Sequence, residues 1–506
     1  MSIECVKKTV EVERLVGSAV FQLPVQAEAP VPGAGRESVE IAMEDAFAAV
    51  KDVEAQSGRV LVSGQVQCQA AYRLGEENSL RALTARASFE QAVDIEGVEP
   101  GMAVRARAAT DHVEAAYDNG HMVFRVAVTV SVRARSLTPV EAVTGFESDT
   151  PVETRLQRVE TGKTSAENSE TVTLSDSVAL PTALHARVVL MQWAAPRVES
   201  VERDLGGVRL SGGVQIESLV ASSVAGRPVA LVRYRLPFEA LVGMPDWVEG
   251  EAEALADVSA LSVEVEEGAQ DGEAALKMQC ELLLTVRMNA GEALDVVSDA
   301  YIAGDGTLSL EQEKMSLCGA AETVQTSVPF RGTLLLDENA PGAGTALAAR
   351  VRPVVSEITD EQDGAHIRGL LEVTALYMPS GSERLSGARG ELPFDIKLGR
   401  PLGDDADVRI DASDAEAAAL MSDRMELKCT LTASGAAWHS EEAVLTTGAQ
   451  AGEDDPRRRG AGLYWPEPGE GLWEIGKRYR VAQETLRALN PSPEGGKAPR
   501  AVLVRV

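Results

Sequence analysis

Aromatic residues make up only 4% of this 506-residue chain, and cysteine and histidine occur just five times each. Each scarcity closes off a class of function. Cys5, Cys68, Cys280, Cys318 and Cys429 are odd in number, far apart, and form no CxxC pair. They read as reduced, small apolar core residues rather than as a disulfide framework or a zinc site. His112, His121, His185, His366 and His439 show no HxH or HxxxH spacing, so no metal centre is expected. Positive charge is also short, with 48 Lys/Arg against 78 Asp/Glu and a net charge of −30. A body this acidic repels nucleic acid and anionic membrane. No run is long and apolar enough to span a bilayer. The opening "MSIECVKKTVEVER" carries charge along its whole length, unlike a secretory leader, and a cytoplasmic location is expected.

Active-site signatures are missing too. "TGKT" at 161–164 resembles the end of a phosphate-binding loop, but Gln157 stands where the loop needs its first glycine. An interdomain loop is expected there. "GDDADVRIDASDAE" at 403–416 is rich in acids yet lacks the glycine and spacing of a calcium loop, so a solvated acidic loop is expected. No G-x-S-x-G elbow occurs. The sequence therefore points to no catalytic residue, no cofactor and no metal, and a protein that is not an enzyme.

What is present is repetition. "GRVLVSGQVQCQAAY" from Gly58, "GGVRLSGGVQIESLV" from Gly206 and "GAHIRGLLEVTALYM" from Gly364 align on the inner glycines Gly64, Gly212 and Gly369. Phe89, Phe238 and Phe394 follow these glycines at 25, 26 and 25 residues. The glycines are expected to supply backbone freedom, a bulge or a close approach, and the phenylalanines to fill a slot. In "FRVAVTVSVRA", Val126, Val128, Val130 and Val132 alternate with smaller or polar residues, a period of two that places them on one strand face. "DNG" at 118–120 and "QDG" at 270–272 and 362–364 mark turns. "SVEIAMEDAFAAVKDVE" is ambiguous, because its Ala-rich middle also suits a helix. The expected fold is mainly β: three tandem β-rich repeat domains, sandwich or barrel-like, over 1–160, 161–305 and 306–445. A linker over 446–460 and a small βααβ domain over 461–506 complete the chain.

The tail differs in charge. From Arg457 to Val506 there are ten Lys/Arg and five Asp/Glu, a local +5, which leaves −35 on the remainder of a −30 chain. Leu472, Ile475, Gly476 and Tyr479 fall on one helical face, with Gly476 allowing close approach, and Ala482, Leu486 and Leu489 do the same in a second helix. "LYW" and "AVLVRV" supply flanking strands.

"PGEGLWEIGKRYRVAQETLRALNP" resembles the lysin-motif (LysM) signature. "GRVLVSGQV…SFEQAVDIEGVEPGM…DHVEAAY…GHMVFRVAVTVSV" resembles a repeat domain of clostridial sporulation proteins. Several such repeats followed by one lysin motif is the layout of SipL-like spore-coat morphogenesis proteins. The resemblance implies a scaffold of the mother-cell cytoplasm that helps attach the coat at the forespore surface. It also implies that the lysin motif binds the coat's basement-layer ATPase, stage IV sporulation protein A. Peptidoglycan or N-acetylglucosamine binding by the same motif is the alternative, through Gly469 to Leu472 and Asn490 to Ser492. Glu470-Gly471 in place of the usual Asp-Thr departs from that pattern. Taken together, the expected partner or glycan surface comprises Gly469, Glu470, Gly471, Leu472, Trp473, Lys477, Arg478, Arg480, Arg487, Asn490 and Pro491. For Trp465, Trp473 and Tyr479, core packing competes with an exposed binding edge. A third reading is self-assembly through exposed strand edges.

Overall fold

The structure is a computed structural model that describes residues 3–505, apart from 36, 78, 225–226, 269–272, 320, 383, 404, 453–459, 468 and 492–500. Strands dominate it. The first six are β1 (Ile3–Pro30), β2 (Val39–Gln56), β3 (Arg59–Leu74), β4 (Arg81–Asp94), β5 (Ala103–Asp118) and β6 (His121–Ser148), in two antiparallel sheets ordered β1-β6-β5 and β2-β3-β4. The next six are β7 (Val152–Leu180), β8 (Ala186–Asp204), β9 (Gly207–Val224), β10 (Arg227–Gly243), β11 (Glu251–Glu267) and β12 (Ala274–Ile302), ordered β7-β12-β11 and β8-β9-β10. Then come β13 (Leu308–Cys318), β14 (Glu322–Leu335), β15 (Ala343–Glu361), β16 (Gly364–Pro379), β17 (Ser386–Lys397), β18 (Asp405–Met421), β19 (Arg424–Trp438) and β20 (Ser440–Ala451). These form sheets β14-β19-β18 and β15-β16-β17, with β13-β20 as a separate pair.

In each set the two three-stranded sheets close over one apolar core. Val126, Val128, Val130 and Val132 of β6 face Val60, Val62 and Val66 of β3 in the first. The alternation of these valines in sequence is what buries one face of the strand. The "DNG" turn has positive φ at both Asn119 (47°) and Gly120 (89°), as a two-residue hairpin turn requires. The "QDG" at 270–272 lies outside the described residues.

The Gly–Phe spacing has a direct explanation. Gly64 pairs across the ladder with Phe89, Gly212 with Phe238, and Gly369 with Phe394. None of the three glycines needs a left-handed backbone. Each lies instead beside a register shift on its other neighbour strand, which leaves out Lys51, Glu199 or Ser356. A Cβ on Gly64 would sit 2.5 Å from the Ala49 carbonyl oxygen and collide with the Phe89 ring, and the other two glycines are crowded by the equivalent groups. The missing side chain makes room for a bulge on one side and a ring on the other.

Several sequence expectations need correction. The segment 39–56, ambiguous by sequence, is strand β2: its buried Met43 and Ala46 pair into a sheet whose core outweighs alanine's helical preference. "TGKT" at 161–164 is no loop, because β7 runs from 152 to 180 without a break and crosses the expected 160/161 boundary. Thr161 is buried and donates to the Glu292 carbonyl, while Lys163 pairs with Glu11 at 2.5 Å. The acidic stretch 403–416 is mostly strand β18, whose Asp405 and Asp407 are neutralised by Arg133, Arg135 and Arg107 rather than by water. The expected linker over 446–460 begins inside β20, where Thr446 is buried and donates to the Val297 carbonyl at 2.6 Å.

β1, β6, β7 and β12 run to 28 or 29 residues, several times the common strand length, and leave the sandwiches as two-stranded ribbons. Residues 3–15 pair with 135–148, 152–164 with 289–302, and 308–318 with 440–451. Each ribbon has a register shift at the same place, which leaves out Thr144, Ser298 or Thr447. The three ribbons meet in one apolar cluster that includes Val12, Val140, Val159, Val296, Leu317 and Leu445.

The sandwiches also meet. Met43, Leu190, Met191, Trp193, Leu219, Leu376 and Leu385 share a second apolar cluster. At its edge the buried Asp45 of the first set accepts from the Trp193 indole N–H of the second at 2.6 Å and pairs with Arg352 and Arg350 of the third. Burial pushes the Asp45 pKa up, but the two guanidiniums, the indole and the Ala46 N–H outweigh it, and the net shift is down.

Candidate partner-binding site

The C-terminal residues build a small unit with its own core. β21 (Ala461–Tyr464) pairs with β22 (Val502–Arg505), and α1 (Leu472–Tyr479) and α2 (Gln483–Leu489) lie between them in sequence. Ile475, Val481, Leu486, Val502 and Val504 are buried together, with Tyr464, Leu472 and Tyr479 packed around them. α1 starts at the extended Gly471, whose N–H donates to Glu474 Oε2 at 2.9 Å, and ends at Arg480, which is left-handed at φ 54°.

Most of the sequence-predicted binding residues have structural duties. Glu470 accepts from the Tyr464 hydroxyl at 2.7 Å and the Glu467 N–H at 3.1 Å, and pairs with Arg478 at 3.0 Å. The Tyr464 hydrogen bond is the main reason its pKa is lowered. Arg478 also lies over the Tyr464 ring, 5.2 Å from its centre. Asn490 clips α2 to β22: its Nδ2 donates to the Leu486 and Leu503 carbonyls at 2.9 and 2.8 Å, and its Oδ1 accepts from the Leu503 N–H at 2.6 Å. Leu472 packs on the core. Gly469 (φ 90°), Gly471, Arg487 and Pro491 lie at the surface. Ser492 falls outside the described residues. Of the three aromatics, Tyr479 packs inside, Trp465 is 67% exposed, and Trp473 does neither.

Trp473 instead faces the second ribbon. Its ring meets that of Tyr301 edge-on at 5.2 Å, and its indole N–H donates to Asp299 Oδ2 at 2.9 Å. Lys477, one helical turn on, donates to Asp299 Oδ1 at 2.6 Å. Arg155 lies over the Trp473 ring and pairs with Glu474 at 2.8 Å. The Tyr301 hydroxyl donates to the Val481 carbonyl at 2.8 Å and accepts from Gln483 Nε2 at 2.9 Å, while the Gln483 N–H reaches Glu153 at 3.2 Å. Gly476 lets this happen, because a Cβ there would collide with the Tyr301 hydroxyl and Gln483. Burial raises the Asp299 pKa, but the hydrogen bonds from Lys477 and Trp473 win, and the net shift is down.

Sequence reasoning anticipated the close approach at Gly476 but not its partner. Asp299 and Tyr301 belong to no motif and sit in an unremarkable strand end. The signal lies in a comparison of ribbons. Counted from the shared register shift, Asp299 corresponds to Gly145 and Gly448, Tyr301 to Glu147 and Gln450, and Arg155 to Val6 and Glu311. The dock is built on the second ribbon alone.

Reactive chemistry does not gather elsewhere among the described residues. Burial pushes the Cys68 and Cys280 thiols up to about 12 and Cys429 to about 11, which keeps all three protonated. Glu361, Asp363 and His366 bring ligand atoms within 4.8 Å of one another at the β15–β16 hairpin. Their charges already have partners: Lys397 pairs with Asp363, Arg368 with Glu361 and Asp395, and His366 Nδ1 lies 2.9 Å from Asp395. This is an ion-pair cluster. A small cavity of about 20 Å³ at the ribbon junction is lined by aliphatic side chains and Thr161.

Residues 39–117, which run from β2 through nearly all of β5, match the family described as SipL, SPOCS domain. The match supports a sporulation-related, SipL-like protein and accords with a non-catalytic role. No curated protein matches the chain, and no solved structure does. No described helix is long and apolar enough to cross a membrane.

Proposed function

We propose that the chain is a non-enzymatic scaffold of bacterial sporulation that helps attach the spore coat at the forespore surface, in the mother-cell cytoplasm. The match of residues 39–117 to the SipL, SPOCS domain family carries this reading. The three strand sets are copies of that unit, a view supported by their common strand order and by the bulge-flanked Gly–Phe pair in each. The C-terminal unit is a lysin motif that binds the coat's basement-layer ATPase, stage IV sporulation protein A. The strand–helix–helix–strand order of the unit supports that assignment. Glycan binding fits less well, since the side chains of Glu470 and Asn490 are consumed inside the unit.

The test is retention of the purified ATPase by the immobilised full chain, with insoluble chitin in parallel. We expect capture of the ATPase, no capture by chitin, and loss of capture in Ile475→Asp, which breaks the core of the C-terminal unit. Capture that survives Ile475→Asp, or retention on chitin with no affinity for the ATPase, refutes the reading.

A further inference from the structure

The geometry points to a closed state in which the second ribbon masks the partner-binding face of helix α1. This inference rests on the reading of the C-terminal unit as the partner-binding element, and concerns the regulation of that element. Trp473 and Lys477 are an aromatic and a cation of α1 that lie outside the core of the C-terminal unit, and both spend their polar groups on Asp299. Tyr301 covers the indole edge and inserts its hydroxyl between Val481 and Gln483. A partner that uses this face must first displace the ribbon.

Three observations argue for a dedicated dock rather than incidental packing. The contact is two-sided, with Glu153 and Arg155 from one strand and Asp299 and Tyr301 from the other. Gly476 clears the space for Tyr301. The equivalent positions on the other ribbons hold Gly145 and Glu147, or Gly448 and Gln450, which offer neither the carboxylate nor the ring. The dock is also small and hydrated at its edges, since Lys477, Arg155 and Glu474 keep nearly half of their side-chain surface in water. Exposed ion pairs of this kind hold weakly and yield to salt. Such a contact masks a site within one chain while remaining easy for a partner to break. A site open about one tenth of the time binds about tenfold more weakly than its open form.

The test uses the full chain and gives the second ribbon the residues of the third, Asp299→Gly with Tyr301→Gln, so that the ribbon keeps side chains its counterpart already tolerates. Hydroxyl-radical oxidation of Trp473, read by peptide mass spectrometry, reports the dock without any partner. Binding to the purified ATPase reports the masking. We expect faster oxidation of Trp473 in the double variant, and capture of the ATPase strengthened by about tenfold. A charge swap, Asp299→Lys with Lys477→Asp, should return the oxidation rate toward that of the parent, whereas Asp299→Lys alone should not. Equal oxidation in parent and double variant overturns the dock. Faster oxidation with unchanged or weaker capture overturns the masking. If neither chain captures the ATPase, the proposed partner falls, and the oxidation rates alone still decide whether α1 is covered.

Discussion

Asp45 ties the three strand sets together, and its removal should cost more than that of any surface acid. The carboxylate is buried and takes charge from Arg352 and Arg350 and a hydrogen bond from the Trp193 indole. Asp45→Ala strands two partly buried guanidiniums and a buried indole N–H at the junction. Removing one member of a buried ion pair costs about 3–5 kcal/mol, most of it the desolvation of the partner left behind. Asp45→Asn keeps an acceptor for the indole, but its amide NH2 then faces Arg352 and the Ala46 N–H in place of the second carboxylate oxygen. Its cost should therefore be similar, about 3 kcal/mol or more. Asp52, seven residues along the same strand but exposed, serves as control, and Asp52→Ala should stay within about 0.5 kcal/mol of the parent. Urea unfolding followed by circular dichroism measures all three. The pH dependence has a defined sign. Because the folded pKa of Asp45 is lowered, its contribution is complete above the unfolded value of about 3.9 and is lost as pH falls through the folded one. The gap between parent and Asp45→Ala should therefore be full at neutral pH and narrow in strong acid. A parent-like midpoint for Asp45→Ala at neutral pH refutes the argument.

The remaining expectations are narrower. Gly212→Ala brings a methyl group 2.8 Å from the Phe238 ring and onto the Arg197 carbonyl, and should destabilise the second sandwich by about 1–3 kcal/mol in the same urea assay; an unchanged midpoint would show that the bulge relaxes freely. Asn490→Ala opens the clip between α2 and β22 and should speed hydrogen exchange at Leu503, whose N–H it now holds, while leaving the sandwiches untouched. The dock should weaken on acidification, because the Asp299 pKa is lowered in the docked state, and its stabilising share is lost as pH falls through that value. Trp473 oxidation that is flat from neutral pH down to about 3 would contradict this. His366 should titrate above the usual histidine range in an NMR pH series, held there chiefly by Asp395, and the Asp395→Asn variant should return it toward about 6.5.

The β character and the recurrent Gly–Phe pair were legible because both depend on short-range pattern, a period of two and a fixed spacing across one hairpin. The reason for the pair was not legible, since the bulge that needs the glycine lies on the other neighbouring strand, at Lys51, Glu199 or Ser356. The errors share a cause. Both 161–164 and 403–416 read as loops in the sequence, yet Lys163, Asp405 and Asp407 lie in strands and are balanced by opposite charges from other parts of the fold. Local composition carries no record of partners more than a hundred residues away. The alanines of 39–56 left the element open between helix and strand, because a small side chain that suits a helix also suits a strand pressed against a neighbouring sandwich. At the candidate site, the helices and Gly476 were readable from helical spacing. Tyr301 was not, because nothing distinguishes it until the ribbons are laid side by side.

The ribbon junction gives the molecule a particular arithmetic. In a trimer of identical subunits meeting this way, any feature on one ribbon would appear on all three. With the three sandwiches joined in a single polypeptide, one ribbon carries Asp299 and Tyr301 where the corresponding positions of the others hold Gly145 and Glu147 or Gly448 and Gln450. A body of threefold character thus carries a single handle at a single latitude, and whatever grasps it meets every copy of the protein in the same orientation.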